Sequence, residues 1–262
     1  MTAPRIACLV PSVTELVAAL GLAPYLVART GYCIHPAELL MGVPKVGGTK
    51  DVNLAKLRRL APTHAIVNVD ENRLETVAAL RGFVPEIVVT HPCGPEDVPD
   101  LIAQVAKSFA ALPGVGERAA ALDASLRAEL AATMPGQRAT TPALYLIWRE
   151  PWMTVARDTY IARLLARADW LTLPDVCGGD RGAARYPVVV GDEPWLGDVR
   201  EVLLSSEPYA FTASHLQEAQ ALCPDARVRL VDGERLGWYG PRTVAGLRYL
   251  RRLAGERRVD RP

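Results

Sequence analysis

The chain has 262 residues, half of them hydrophobic and 23% charged, with 30 basic against 29 acidic side chains. That composition describes a globular protein and excludes disorder, fibres and the basic footprint of a nucleic-acid binder. No apolar run approaches the ~18–20 residues of a membrane span, so membrane insertion is not expected. No signal-like segment precedes the first strand, so the sequence as written reads as cytoplasmic, or as periplasmic if its start is misassigned.

Residues 5–10 are a short apolar run that reads as a strand. Ser12 then caps a helix, with Glu15 completing a Ser-x-x-Glu box and Gly21 as the left-handed stop. Residues 25–29 read as a strand, 31–36 as a loop carrying Tyr32, Cys33 and His35, and 53–60 as a short basic helix. Residues 65–69 read as a buried strand opening onto Asp70, Glu71 and Asn72, which start a helix ending near Gly82. Residues 86–90 form a strand that delivers His91, Pro92 and Cys93, and 95–111 are helical. Up to this point ten Lys and Arg face ten Asp and Glu, so the first half carries no charge excess.

Val115, Ala119, Leu122, Leu126 and Leu130 recur at three- and four-residue steps, which predicts one long helix over 114–134. The strand–helix alternation resumes with a strand at 143–148, a helix at 159–168, strands at 202–205 and 228–231, and a terminal helix opened by Pro241. The tail from 256 is polar and reads as frayed. Strand–helix–strand units of this length imply parallel pairing with right-handed crossovers. The expected fold is α/β: an N-terminal lobe over 1–112, a connecting helix over 113–136 and a C-terminal lobe over 137–262, with mostly parallel sheets. Two lobes tied by one stiff helix make a clamp with a ligand cleft, lined by loops at the carboxyl ends of the strands. That shape points to binding rather than catalysis, and no catalytic residue is assigned.

The five cysteines at 8, 33, 93, 177 and 223 are widely spread and include no Cys-x-x-Cys pair, so neither a disulfide framework nor a zinc knuckle is indicated. Cys8 reads as core filler. Cys33 and His35 share one strand-end loop, and His91 and Cys93 share another. Together they could ligate a borderline metal ion or cap the metal of a chelate. All five tryptophans lie in the second half. Trp170 follows a helix and reads as core. Trp148, Trp152, Trp195 and Trp238, with Tyr209 and Phe211, stand at strand ends facing the expected cleft, where aromatic rings suit a large planar ligand. Glu71 and Asn72 at a helix start fit either ligand contacts or capping. Glu207 is the carboxylate most readily assigned to a ligand. Arg242, in the first turn of the last helix, opposes the helix dipole and fits an anionic ligand group or simple solvation.

At Val10-Pro-Ser-Val-Thr-Glu, Val43-Pro-Lys-Val-Gly-Gly, residues 57–65, Asp158-Thr-Tyr-Ile with Leu164-Leu165, Ser206-Glu-Pro-Tyr and Trp238-Tyr-Gly-Pro-Arg, the sequence resembles the class III substrate-binding proteins of cobalamin and iron-chelate importers. The Tyr32–Pro36 loop resembles the branch of cobalamin-binding and helical-backbone metal receptors. The resemblance covers nearly the whole chain and implies a two-lobed clamp holding a flat ligand. It also implies a transporter permease partner, docked through an acidic side chain at the tip of each lobe. Glu75 matches the first, and around Gly237, where the second is expected, no carboxylate stands after Glu234. Cys177-Gly-Gly-Asp-Arg departs from the family's Gly-Gly-Glu-Asn-like segment.

The expected ligand is therefore cobalamin or an iron chelate, contacted by Ser12, Tyr32, Glu71, Trp148, Trp152, Trp195, Glu207, Tyr209, Trp238, Tyr239 and Arg242, with no resident cofactor required. Direct metal-ion binding by Cys33, His35, His91 and Cys93 is the alternative, and a diverged scaffold serving as an interaction module is the third reading.

Overall fold

Strands with unbroken apolar runs must be covered on both faces, and this requirement organises each half of the chain. The computed structural model describes residues 3–256. They fall into two units. The first comprises the chain up to Pro92 with Asp97–Arg127 and Tyr239–Arg242, and the second comprises Cys93–Glu96, Ala128–Trp238 and the chain from Thr243 onward.

In the first unit, β1 (Ile6–Cys8), α1 (Pro11–Ala19), β2 (Leu26–Arg29), α2 (Leu54–Arg59), β3 (His64–Asn68), α3 (Leu74–Leu80), β4 (Glu86–Thr90) and α4 (Val98–Ser108) alternate. Their four strands form one parallel sheet in the order β2-β1-β3-β4. The central β1 is buried throughout, whereas the edge strand β4 alternates between exposed and buried positions. Helix α5 (Val115–Ala132) follows, two residues short of the expected span at its carboxyl end, with Val115 and Leu126 of the apolar stripe buried.

The second unit contains β5 (Thr141–Leu146), β6 (Trp152–Met153), α6 (Tyr160–Ala166), β7 (Trp170–Thr172), β8 (Val188–Val189), β9 (Glu201–Ser205), α7 (Leu216–Leu222), β10 (Arg227–Val231), α8 (Gly233–Gly237) and most of α9 (Arg242–Gly255). Its main sheet is again all parallel, in the order β10-β9-β5-β7, and β6 pairs with β8 in a small antiparallel ribbon. Each parallel sheet reverses its winding once, beside β1 and β3 in the first and beside β5 and β9 in the second. In open α/β sheets ligands bind outside the carboxyl ends of the strands at such a point. Among the described residues no helix is long and apolar enough to cross a membrane.

Several local expectations need correction. Ser12 does not cap α1: Val10 occupies the cap position without a side-chain bond, and Pro11 takes the first helical position, where its missing N–H costs nothing. The helix expected from Asp70 starts only at Leu74. The Asn68 carboxamide oxygen accepts the N–H groups of Asp70 (2.8 Å) and Glu71 (3.2 Å), and Asn72 Oδ1 accepts the Asn68 N–H (2.8 Å). These side chains hold a turn that competes with helix. Pro95–Asp97 is a 3₁₀ turn before α4, and β6, β7 and β8 are too short for a periodicity signal. Residues 1 and 2, and the tail beyond Glu256 that was expected to fray, lie outside the described residues.

Candidate functional site

In the first unit the loops after β1 and β3 are tied together by amides. Asn72 Nδ2 donates to the carbonyls of Leu9 (3.3 Å) and Thr49 (3.0 Å), and Asn68 Nδ2 donates to the Thr90 carbonyl (3.0 Å). Neither Glu71 nor Asn72 is at a helix start, so neither caps a helix there. Glu71 instead accepts a hydrogen bond from the buried Tyr239 hydroxyl at 3.0 Å. Burial, and next the Glu71 charge, push the Tyr239 phenol well above its ordinary pKa, and the buried Ser12 hydroxyl lies beside it. Arg242 is paired within the fold. Its Nε donates to Glu15 Oε2 at 2.8 Å and its Nη2 to Glu15 Oε1. Glu15 thus serves Arg242 rather than a capping box.

The Tyr32 loop is different. Tyr32 is 64% exposed, and Ile34, Leu39 and Met41 are exposed on the same segment. Cys33 points the other way, fully buried, with its sulfur 3.1 Å from Thr30 Oγ1 and 3.7 Å from the Cys8 carbonyl. Burial raises the thiol's pKa above its ordinary value. His91 Nε2 stands 3.5 Å from Asp70 Oδ2, while in the second unit Cys93 Sγ stands 3.8 Å from Arg185 Nη2. Among the described residues no three His, Cys, Asp or Glu side chains gather as a metal ion would need. Cys33, His35, His91 and Cys93 therefore do not form the expected centre. They share loops in sequence, but the strand end at Cys33 turns its thiol into the core.

In the second unit the loops after β5 and β9 bring Trp148 and Tyr209 together. The Tyr209 N–H donates to the Ile147 carbonyl (3.3 Å), and the two rings meet edge to face with centroids 5.7 Å apart. Trp148 is 42% exposed. Tyr209 is braced from behind: its ring lies 4.7 Å from that of Phe211, and its hydroxyl is 3.1 Å from His215 Nε2. His215 Nδ1 accepts the Thr212 N–H at 3.0 Å. Sequence reasoning missed His215, and only its three-residue distance from Thr212 could have signalled it.

The remaining expected contact residues also have partners within the fold. Trp152 stacks on Phe211 at 5.9 Å, with the Arg149 guanidinium 4.9 Å from its ring, and Trp195 packs on the same buried cluster. Trp238 is buried, and its Nε1 donates to Glu207 Oε1, so the carboxylate first assigned to a ligand holds an indole. The Glu207 backbone is fixed as well. Tyr145 donates to Ser205 Oγ (3.0 Å), which donates to the Glu207 carbonyl (2.6 Å). The two glycines of the Cys177-Gly-Gly-Asp-Arg segment have a structural account, whereas nothing in the structure explains the Asp180-Arg181 departure. Asp158 accepts the N–H groups of Gly178 (2.9 Å) and Gly179 (2.7 Å), and a Cβ at Gly178 would collide with the Arg185 backbone. Burial alone would raise the Asp158 pKa, but these two bonds, together with its own backbone N–H and the Arg185 charge, hold the carboxyl below its ordinary value.

Neither a family model nor a curated protein matches the sequence. Solved structures do. The periplasmic vitamin B12 binding protein BtuF of Vibrio cholerae aligns over 98% of this chain and 99% of its own, at 20% identity with a TM-score of 0.78. The periplasmic heme-binding protein RhuT of Roseiflexus sp. RS-1 aligns over 97% and 99%, at 21% identity and 0.74. An ABC transporter substrate-binding protein of Listeria monocytogenes aligns over 96% and 98%, at 14% identity and 0.75. This full-length structural correspondence gives the chain the fold of the class III substrate-binding proteins, as the motifs at 10–15 and 238–242 implied.

Proposed function

We propose that this chain is a binding protein for a flat metal chelate of the corrinoid or haem type. The observation that carries the reading is Trp148. It is a large ring left 42% exposed at the sheet's switch point, edge to face with a Tyr209 ring that is itself braced. Exposed aromatic and aliphatic surface at a strand-end loop suits a ligand with a broad apolar face. Tyr32, with Ile34 and Met41, offers similar surface on its own unit. The likeness to proteins that bind vitamin B12 and heme supports the ligand class.

The Listeria neighbour supports a permease partner, with exposed Glu75 in the first turn of α3 as its docking carboxylate. The two periplasmic neighbours favour a periplasmic address. Titration of the purified chain with aquocobalamin and with haemin, followed by absorbance and tryptophan fluorescence, tests the ligand. Saturable quenching by either, weakened about tenfold in Trp148→Ala as expected for an aromatic anchor, supports the reading. No response to either chelate up to roughly tens of micromolar refutes it.

A further inference from the structure

A second feature lies on α8 and α9. Arg248, Arg251 and Arg252 of α9 are spaced three and four residues apart, so their side chains leave one face of the helix. Arg235 of α8 joins them around a depression of about 560 Å³. Cations near a helix carboxyl end suit its dipole, which accounts for placing arginines on α9 but not for a fourth arriving from another helix.

The local charge does not cancel. Glu129 accepts both Arg248 (2.6 Å) and Arg251 (3.3 Å), and Asp232 pairs with Arg235 (3.0 Å). Arg252 has no carboxylate partner among the described residues and sits 6.0 Å from the Tyr249 ring centroid. Four guanidiniums against two carboxylates leave an excess of two positive charges. From Arg248 to the end the sequence holds six arginines against Glu256 and Asp260, in a chain whose net charge is only +1.

The cluster is also held in place. The Glu129 side chain is only 12% exposed and fixes two guanidiniums at once. Tyr249, whose hydroxyl accepts the Asp232 N–H (3.1 Å), carries Arg235 5.4 Å from its ring as well as Arg252. Each guanidinium has five N–H donors in a fixed fork that matches phosphate oxygens, and one ion pair leaves most of them available.

We propose that this depression binds a compact oligophosphate, an anion of two or more charges gripped by Arg235, Arg248, Arg251 and Arg252. The phosphates are either free in solution or borne on a lipid headgroup. A single depression on an otherwise neutral chain is too small for the track that duplex nucleic acid would need.

The test is calorimetric titration of the full chain with sodium tripolyphosphate, with pelleting on vesicles of phosphatidylinositol bisphosphate in phosphatidylcholine as the second arm. Saturable binding is expected, falling about tenfold or more between ~50 and ~500 mM salt. Arg251→Gln with Arg252→Gln should lower affinity about tenfold or more, since it removes two charge-assisted contacts. Arg252→Gln alone breaks no ion pair to a described residue and guards against misfolding. Lys107→Gln, on α4, should change nothing. Binding to tripolyphosphate without pelleting assigns a soluble ligand, and pelleting alone assigns a headgroup. No saturable binding in either arm up to ~1 mM, or equal affinity in both arginine variants, overturns the proposal. The test involves no chelate, so its outcome is independent of the function proposed above.

Discussion

The hydroxyl of Tyr239 gives a direct measure of what holds the return segment in the first unit. Tyr239→Phe keeps the ring, which is only 7% exposed, and deletes one hydrogen bond to the Glu71 carboxylate. Hydrogen bonds to charged groups contribute ~1.5–3 kcal/mol. Glu71 is only half-buried, so the lower end applies, about 1.5 kcal/mol. A double-mutant cycle with Glu71→Ala in urea, read by fluorescence at pH 7, should return a coupling of about that size. The same bond predicts a pH dependence. The folded state raises the phenol's pKa, chiefly by burial, so it keeps the proton longer than the unfolded chain does. Stability from this group is therefore complete below ~10, the unfolded value, and declines as pH rises beyond it. Tyr239→Phe should flatten part of that alkaline decline. A coupling under ~0.5 kcal/mol, the usual error for independent sites, together with an unchanged alkaline limb, would refute the reasoning.

Further outcomes follow from the same geometry. Because the Asp158 carboxyl is held below its ordinary value, the stability it contributes is present above ~4 and lost as pH falls below that. Asp158→Asn should remove this acid-side slope in melting curves, and an unaltered slope would show that the Gly178 and Gly179 bonds are not formed in solution. Gly178→Ala should destabilise by about 1–3 kcal/mol, since the added methyl meets backbone rather than a movable side chain; a wild-type denaturation midpoint would contradict the packing. Under native conditions a thiol reagent should find Cys177 first, whereas Cys8, Cys33 and Cys223 should react only on unfolding. Burial raises the Cys223 thiol to about 11, which reinforces its inertness. Rapid labelling of Cys33 would mean that the Tyr32 loop opens.

The sequence revealed what depends on repeated pattern and hid what depends on pairing across long separations. Residues 86–90 gave β4 without error, and 202–205 gave β9 to within one residue, because a buried parallel strand is a dense apolar run. Trp170 was legible as core. Glu71, Glu207 and Arg242 were not legible as structural groups, because each partner depends on tertiary placement: Tyr239, Trp238 and Glu15 stand 168, 31 and 227 positions away. A polar residue at a strand end looks the same whether it awaits a ligand or already holds another side chain. The Asn68 turn was missed for a local reason, since an Asx turn and a helix start draw on the same residues.

Tyr239–Arg242 belongs to the first unit yet is made after residues 128–238 of the second. A ribosome releases a domain's residues in order, and a domain ordinarily closes once its own stretch has emerged. Here Glu15 and Glu71 leave the exit tunnel early, while their partners lie 227 and 168 positions later. Until those partners emerge, the first unit must carry two carboxylates without these ties. Any chain broken off before residue 239 would inherit that unfinished state permanently, with two acidic groups left at places shaped for a guanidinium and a phenol. For this protein, completion of the first unit waits on synthesis of most of the second.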